Sequence, residues 1–515
     1  MNLDGFALPV KKLKGTDPVE TLDLSGKELG VASAVVIASL ICVNGGLTKM
    51  SLAKNVLGEE GTKAICEALE QNKTLKELDI SGAKYKNNIG RSAGAKHVAK
   101  MLGVNGALTS VELRGNELGD MGWGAIFAAI CGNKDSKIMA MDASSENIGP
   151  AGVKLIAEAL RTSVTGALTS VDLGGNRLGD EGWGAIFAAI CGNKDSKIMS
   201  LGAASENISP AGVKLITEAL RTSVTGALTL TNLLGNQLDA KSAKMLAEVA
   251  KQKGISLCGI RRDQTTAVFF GKGLQPPDAI LLASDLSQAV VTGGLTKMSL
   301  ANNKLGEEGT KAICEALEQN KTLKELDISG SFYGGSNIGG SAGVKHVAKM
   351  LGVNGGLTAL NLSSNRLDDE GVSAVCEAIQ NYKETKLASL NFENNGISPV
   401  GANAVTAMVA VTGGLTSLDL SSNQLCGLDY HHRGTYTAVG ITAIADALRV
   451  NGGLTKLSLA RNHLEEEGTK AICEALEQNT TLKELDIRGS NIGGSAGAKH
   501  VAKMVGVNGA LTEVR

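Results

Sequence analysis

Aromatic residues make up only 3% of this 515-residue chain, so its core has to be assembled from Leu, Ile, Val and Ala. Neither sign of charge is in excess. With 51 Lys+Arg against 52 Asp+Glu there is no global field to attract nucleic acid or an anionic membrane, and neither is expected as a partner. Long apolar runs are missing as well: Val31 to Val43 is too short to span a bilayer and carries Ser33 and Ser39. The opening MNLDGFALPVKKLK has no apolar run between its basic cluster and Asp17 and Glu20, so it does not read as a signal peptide. The nine cysteines do not pair evenly, and Cys66, Cys314 and Cys473 recur in one context, AICEAL, on a predicted helix. Such thiols are small core hydrophobes kept reduced, and a cytoplasmic or nuclear protein is expected.

The length exceeds what one globular core usually fills, which leaves several domains or a repeat array. Sixty-five glycines, implying many tight turns, favour the array. One phrase recurs throughout: L-x-x-L-x-L-x-x-N-x-L, then a Gly-containing turn and an Ala-rich amphipathic segment. Clear copies begin at Leu47, Leu108, Leu168, Leu228, Leu295, Leu357, Leu415 and Leu454. Weaker copies, with the asparagine replaced or the phrase interrupted, begin at Leu75, Ile138, Ile198, Ile255, Leu323 and Leu482. With degenerate copies near Leu22 and Val268 and a stump at Leu511, about seventeen units follow one another every 28 to 30 residues or so.

In LTSLDLSSNQL, Leu418 and Leu420 lie two apart and share one face of a short strand, while Ser417 and Asp419 point away. Asn423 sits where the chain leaves the strand, and its amide can donate to and accept from loop backbone. Repeated in register, these asparagines predict a ladder. In the next segment, Ala312, Ile313, Ala316 and Leu317 form one apolar helical stripe, and Lys311, Glu315 and Glu318 face solvent. No such unit buries its apolar face alone. The units must stack, strands on the inside of a curve and the wider helices outside.

The phrase, its period and the helix pattern Gly-x-x-Ala-Leu/Ile-x-x-Ala-Leu resemble the ribonuclease-inhibitor class of leucine-rich repeats. That class is also found in nucleotide-binding immune receptors and in the activating protein of the Ran GTPase. The resemblance covers roughly residues 19 to 515. It implies an α/β leucine-rich repeat solenoid, a horseshoe with parallel strands on the concave face and helices on the convex face. Functionally it implies a protein-interaction scaffold. Two alternatives come with it: a GTPase-activating regulator of a small GTPase, for which no residue here can be assigned, and the sensor region of a larger receptor. The second needs a nucleotide-binding domain that this sequence lacks.

Four segments are expected: residues 1–46 with a first degenerate repeat, a first array at 47–252, an irregular junction at 253–294, and a second array at 295–515. Within them, residues 108–167 are nearly copied at 168–227, and 46–82 recur at 294–330 and 453–489. The junction carries Arg261, Arg262, Phe269, Phe270, Pro276 and Pro277, and its intact apolar pattern favours stacking. The last unit stops at LTEVR, in mid-strand. The expectation is a fragment, a truncated product or an end capped by a partner, and a monomer unless that edge pairs.

The outward strand positions hold more acids than bases. Lys49, Arg114, Lys297, Lys456 and Arg488 face a longer series of carboxylates, of which Glu112, Asp142, Asp172, Asp327, Asp419 and Asp486 are the candidate contacts for a basic partner surface. The plainer reading is that Asp simply fills and solvates this position. Three units are longer just after the strand, at Ala83 to Asn88, Ser331 to Ser336 and Cys426 to Val439, and these insertions should emerge on one rim. They hold four of the five tyrosines, Tyr85, Tyr333, Tyr430 and Tyr436, the candidate aromatic anchors of an interface. Trp123 and Trp183 align with Thr62 and Thr310 at a position read as outward-facing, where they are expected to pack over a neighbouring helix.

No catalytic, cofactor or metal site is expected. His431 and His432 near Cys426 and Asp429 fall short of a four-ligand spacing. His97, His346 and His500 are copies of one helix position in SAGAKHVAKM and its variants. The neighbouring Lys96, Lys345 and Lys499 belong to no G-x-x-x-x-G-K-[ST] loop, and Ser92, Ser341 and Ser495 read as helix N-caps.

Overall fold

The computed structural model describes residues 2–83, 87–164, 166–288, 293–332, 335–429 and 431–515, and they fall into two compact units that divide between Gly259 and Ile260. This boundary lies inside the segment read from sequence as a junction. The first unit opens with a hairpin, Asn2–Leu3 against Phe6–Ala7, and a helix Val10–Lys14. In the hairpin turn, the Asp4 carboxylate accepts from the N–H of Gly30 (2.8 Å) and Ser33 (3.2 Å). It thereby caps the helix Val31–Ile41, whose own cap residue Gly30 has no side chain to offer.

Eight parallel strands follow, from Thr21–Asp23 to Leu230–Asn232, each succeeded by a helix, the last being Ala240–Lys253. They pair in chain order in two four-stranded sheets. Between Ser110–Glu112 and Ala140–Asp142 the ladder lapses, and the Met139 N–H reaches the Thr109 carbonyl at 3.5 Å. The second unit is one nine-stranded parallel sheet, Thr266–Val268 to Glu513–Val514, with eight helices among its described residues, Pro276–Leu286 to Gly494–Val507. The α/β leucine-rich repeat solenoid is therefore present, with seventeen parallel strands following the hairpin among the described residues; the copy read at Ile255 forms only isolated bridges, and the strand Ser389–Asn391 belongs to a copy beginning at Leu387 that the sequence reading passed over.

Packing follows the phrase. In the repeat from Leu47, residues Leu47, Met50, Leu52, Leu57, Ile65, Cys66 and Leu69 are each no more than 3% exposed, closing the space between strand and helix. Each such side chain contributes roughly 1.5–3 kcal/mol. Stacking keeps equivalent residues opposite one another, Met50 beside Leu78 and Leu326 beside Leu360. Eight of the nine cysteines belong to this core, and burial pushes thiols such as Cys66 up to about 12.

The asparagine ladder is present. Asn116 Oδ1 accepts from the N–H of Asn88 (2.8 Å) and Ile89 (3.2 Å) in the preceding repeat, and Nδ2 donates to the carbonyls of Leu113 (2.8 Å) and Ile80 (3.0 Å). Asn365 repeats the pattern in the second unit. A second ladder, not read from the sequence, runs where helices return to strands. Asn105 Nδ2 donates to the Leu69 carbonyl of the preceding helix at 2.7 Å, and its Oδ1 accepts from the N–H of Ala107 and Leu108. Asn133, Asn193, Asn354 and Asn451 do likewise. Its signal was the recurring asparagine shortly before a strand, in N-G-x-L at Asn105, Asn354 and Asn451 and in N-K-D-S at Asn133 and Asn193.

Two expectations are corrected. Trp123 and Trp183 do not face outward: both are 0% exposed. The aligned Thr62 is buried too, since its hydroxyl is satisfied internally by the carbonyls of Gly58 (2.7 Å) and Ile89 (3.2 Å), so a polar residue here does not mark the surface. Ser92, Ser341 and Ser495 are not N-caps. Those helices begin after Gly90, Gly339 and Gly493, which adopt left-handed backbone, and no side chain caps them.

Candidate functional site

The strands present a polar face that no helix covers, and its charges sort by position within the phrase. At the third position, acids meet lysines across neighbouring strands: Lys49 with Glu77 at 2.7 Å, Lys297 with Glu325 at 2.7 Å, Lys456 with Glu484 at 3.0 Å. At the fifth position most aspartates are occupied locally. Asp142 accepts from the Ser144 N–H (2.9 Å) and hydroxyl (2.6 Å), and Asp327 does the same with Ser329. Asp419 serves Ser421 and Asp172 the Gly174 N–H. These bonds fasten the chain as it leaves the strand, a structural duty for the residues nominated as contacts.

Charge is only partly cancelled at this position. Arg114 pairs with Asp142 at 3.1 Å and Arg488 with Asp486 at 2.7 Å, and the Arg488 guanidinium lowers the Asp486 pKa. Asp142 lies directly opposite Asp172, and Asp79 opposite Glu112, like charges in register. Among the described residues nothing hydrogen-bonds to or ion-pairs with the Glu112 carboxylate. Burial, with Asp142 and Asp79 nearby and Arg114 opposing, raises its pKa. In the first unit an open groove of 770 Å³ runs over this face, bounded by Asp23, Lys49, Asp79, Glu112, Arg114 and Glu146. In the second unit a groove of 460 Å³ brings together Glu393, Asp419 and Asp486 with Arg461 and Arg488. Asp327 lines a separate, shallower groove with Glu325 and Asn361.

Glu146 and Glu206 occupy ladder positions where other repeats carry asparagine. Each is under 10% exposed and accepts one backbone N–H from the preceding repeat, Gly115 (2.8 Å) for Glu146 and Gly175 for Glu206. The buried indoles face them: Trp123 is directed at Glu146 and Trp183 at Glu206, neither closing a hydrogen bond of normal length. Burial raises both carboxyl groups' pKa, while the N–H and indole groups pull it back. The duplicated tryptophans are thus partners of duplicated glutamates, which the sequence reading did not connect.

Of the rim insertions, Tyr85, Tyr333 and Tyr430 lie outside the described residues. Tyr436 is half-buried. Its hydroxyl donates to the Leu464 carbonyl (2.8 Å) and accepts from the Gly468 N–H (3.3 Å), and burial pushes it up to about 12. The two insertions of the second unit do share a rim. Phe332 and Ser331 from one, and Asp429, His431 and Arg433 from the other, border a single cavity of 340 Å³ together with Arg366. Phe332 is 54% exposed there. His432 meets a residue no sequence motif indicated, His463, with ring centroids 4.3 Å apart.

Comparison with known proteins follows the same lines. A family model described as Leucine Rich repeat matches residues 168–187, 357–376 and 478–499. Ribonuclease inhibitor of Sus scrofa is 25% identical over 69% of this chain and 73% of its own length, and that of Mus musculus 26% over 73% and 77%. NACHT, LRR and PYD domains-containing protein 14 of Mus musculus is 27% identical over 75% of this chain, which spans only 36% of that relative. A solved TLR13–ssRNA13 complex aligns with 97% of this chain at 12% identity and a TM-score of 0.38, too low to carry an argument.

Proposed function

Since this chain is a leucine-rich repeat protein of the ribonuclease-inhibitor-like class, we propose that it is a non-enzymatic, cytoplasmic scaffold. It holds a partner protein with a basic surface against the strand face and the rim loops. The observation that carries this reading is the strand face of the first unit, where the Glu112 carboxylate has no partner among the described residues and Asp142 faces Asp172 in register. Like charges side by side cost folding free energy, and a cationic partner recovers it. A relative named for inhibiting a ribonuclease supports a protein ligand. The candidate contacts are Glu112, Asp142, Asp172, Asp327, Asp419 and Asp486, with the insertion tyrosines at the rim.

Affinity capture from cell extract tests this with charge removed and shape kept. Asp142→Asn and Asp172→Asn retain the Oδ1 that accepts from Ser144 and Gly174, so Glu112→Gln/Asp142→Asn/Asp172→Asn should fold as before and lose the partner. Tyr85→Ala/Tyr333→Ala/Tyr430→Ala tests the rim separately. Retention by both variants rejects both surfaces. Because the chain spans only 36% of its NACHT relative, a second reading is the repeat region of a larger receptor. The GTPase-activating alternative predicts faster GTP hydrolysis by a small GTPase on adding this chain; a scaffold leaves the rate unchanged.

A further inference from the structure

The insertion Cys426–Val439 is folded onto the next repeat by contacts that converge on residues 463–468. Leu428 bridges Gly434 across its turn, and Asp429 organises that turn by accepting from the N–H of His431 and Arg433, each at 2.9 Å. His432 lies in left-handed backbone, φ 61°, a conformation uncommon for residues other than glycine. Tyr436 bonds Leu464 and Gly468 at the start of the helix Glu465–Leu476. His463 completes the attachment. It is 7% exposed and lies close to Asp429, and the His432 ring stands edge-on with centroids 4.3 Å apart.

The neutral tautomer fits this place and the cation does not. Among the described residues Nδ1 of His463 is buried with no hydrogen-bond partner, so a second ring proton would point an N–H at no acceptor there and add a charge next to another imidazole. Two carboxylates lie near enough to favour the cation, but both are engaged elsewhere: Asp429 by Arg433 at 2.9 Å, Glu465 by the Asn491 amide at 2.6 Å.

We propose that this contact is an acid-sensitive latch: the His432–His463 ring contact and Tyr436 hold the insertion, and with it one wall of the rim cavity, at neutral pH, and protonation of the buried His463 releases it. Burial and His432 together lower the His463 pKa, which sets the sign. The folded form resists the proton, so the attachment is intact above the ordinary value of 6.5 and weakens progressively as pH falls below it. Its functional meaning, release of a partner held at the rim, rests on the reading above.

Hydrogen exchange of residues 426–439 in the full chain, corrected for intrinsic rates, tests the latch without any partner. Failure here therefore leaves the partner reading intact, and the reverse. Protection should fall about tenfold or more between about pH 7.5 and about pH 5. In His463→Gln, whose amide is of similar size and polar but does not titrate, it should not change with pH. Tyr436→Phe should lower protection at both pH values and keep the pH response. An equal fall in the parent and in His463→Gln, or no fall in the parent, overturns the proposal. Should His463→Gln not fold, His432→Gln at the exposed ring takes its place, and an undiminished pH response there also overturns it.

Discussion

At the scale of single residues, the ladder shows why asparagine recurs: an amide accepts from the preceding repeat's N–H groups and donates to two carbonyls at once, where the hydroxyl of Ser490 at the same position accepts from Asn462 and donates to Leu459 alone. Ionised Glu206 keeps the first role, loses the second, and is buried. Its folded-state pKa is raised by burial, so its contribution is fully present below the ordinary value of 4.5 and is lost as pH rises through the folded value. At neutral pH the carboxylate is a cost. Glu206→Gln restores a donor on a side chain of equal length, and denaturant unfolding at neutral pH should show a gain on the order of 1 kcal/mol that vanishes near pH 4. A loss at neutral pH instead means that the charge-assisted bond to the Gly175 N–H outweighs burial. The asparagines were legible because their spacing repeats. The glutamates' role was not, because it depends on an indole 23 residues earlier in sequence, at Trp123 and Trp183.

At the scale of elements, strands and helices followed directly from the periods of two and 3.6, and the errors came where a side chain's polarity was taken for its exposure. Thr62 looks solvent-facing and is not, so tryptophan in its column was misplaced. The SAGAKH helices were also set by backbone rather than by capping serines. Gly90 turns the chain in left-handed backbone, and a Cβ on Gly94 would lie 1.7 Å from the Ile89 carbonyl oxygen. The equivalent overlaps at Gly343 and Gly497 are 1.7 and 1.6 Å. Gly94→Ala should therefore cost about 3 kcal/mol or more, despite alanine's better helix propensity. Gly103→Ala, at the far end of the same helix with its nearest contacts at 3.4 Å, should stay within about 1 kcal/mol. Calorimetry of the two variants separates the cases, and equal costs would mean that the turn at Ile89 yields freely.

At the scale of the whole molecule, a charge balance of 51 to 52 conceals local polarity. Each lysine at the third strand position is spent on a glutamate beside it, whereas Glu112, Asp172, Asp327 and Asp419 at the fifth have no basic partner within an ion pair's reach among the described residues. Such a face acts on a partner mainly through encounter. Electrostatic steering speeds association and is screened beyond a Debye length of about 8 Å at physiological ionic strength. Association with the captured partner should therefore slow about tenfold or more from low to physiological salt while dissociation changes little. Glu112→Gln/Asp142→Asn/Asp172→Asn should flatten the salt dependence without lowering the melting temperature. If association is insensitive to salt in the parent chain, the partner approaches without using these carboxylates, and Phe332 and Arg366 at the rim cavity become the residues to substitute next.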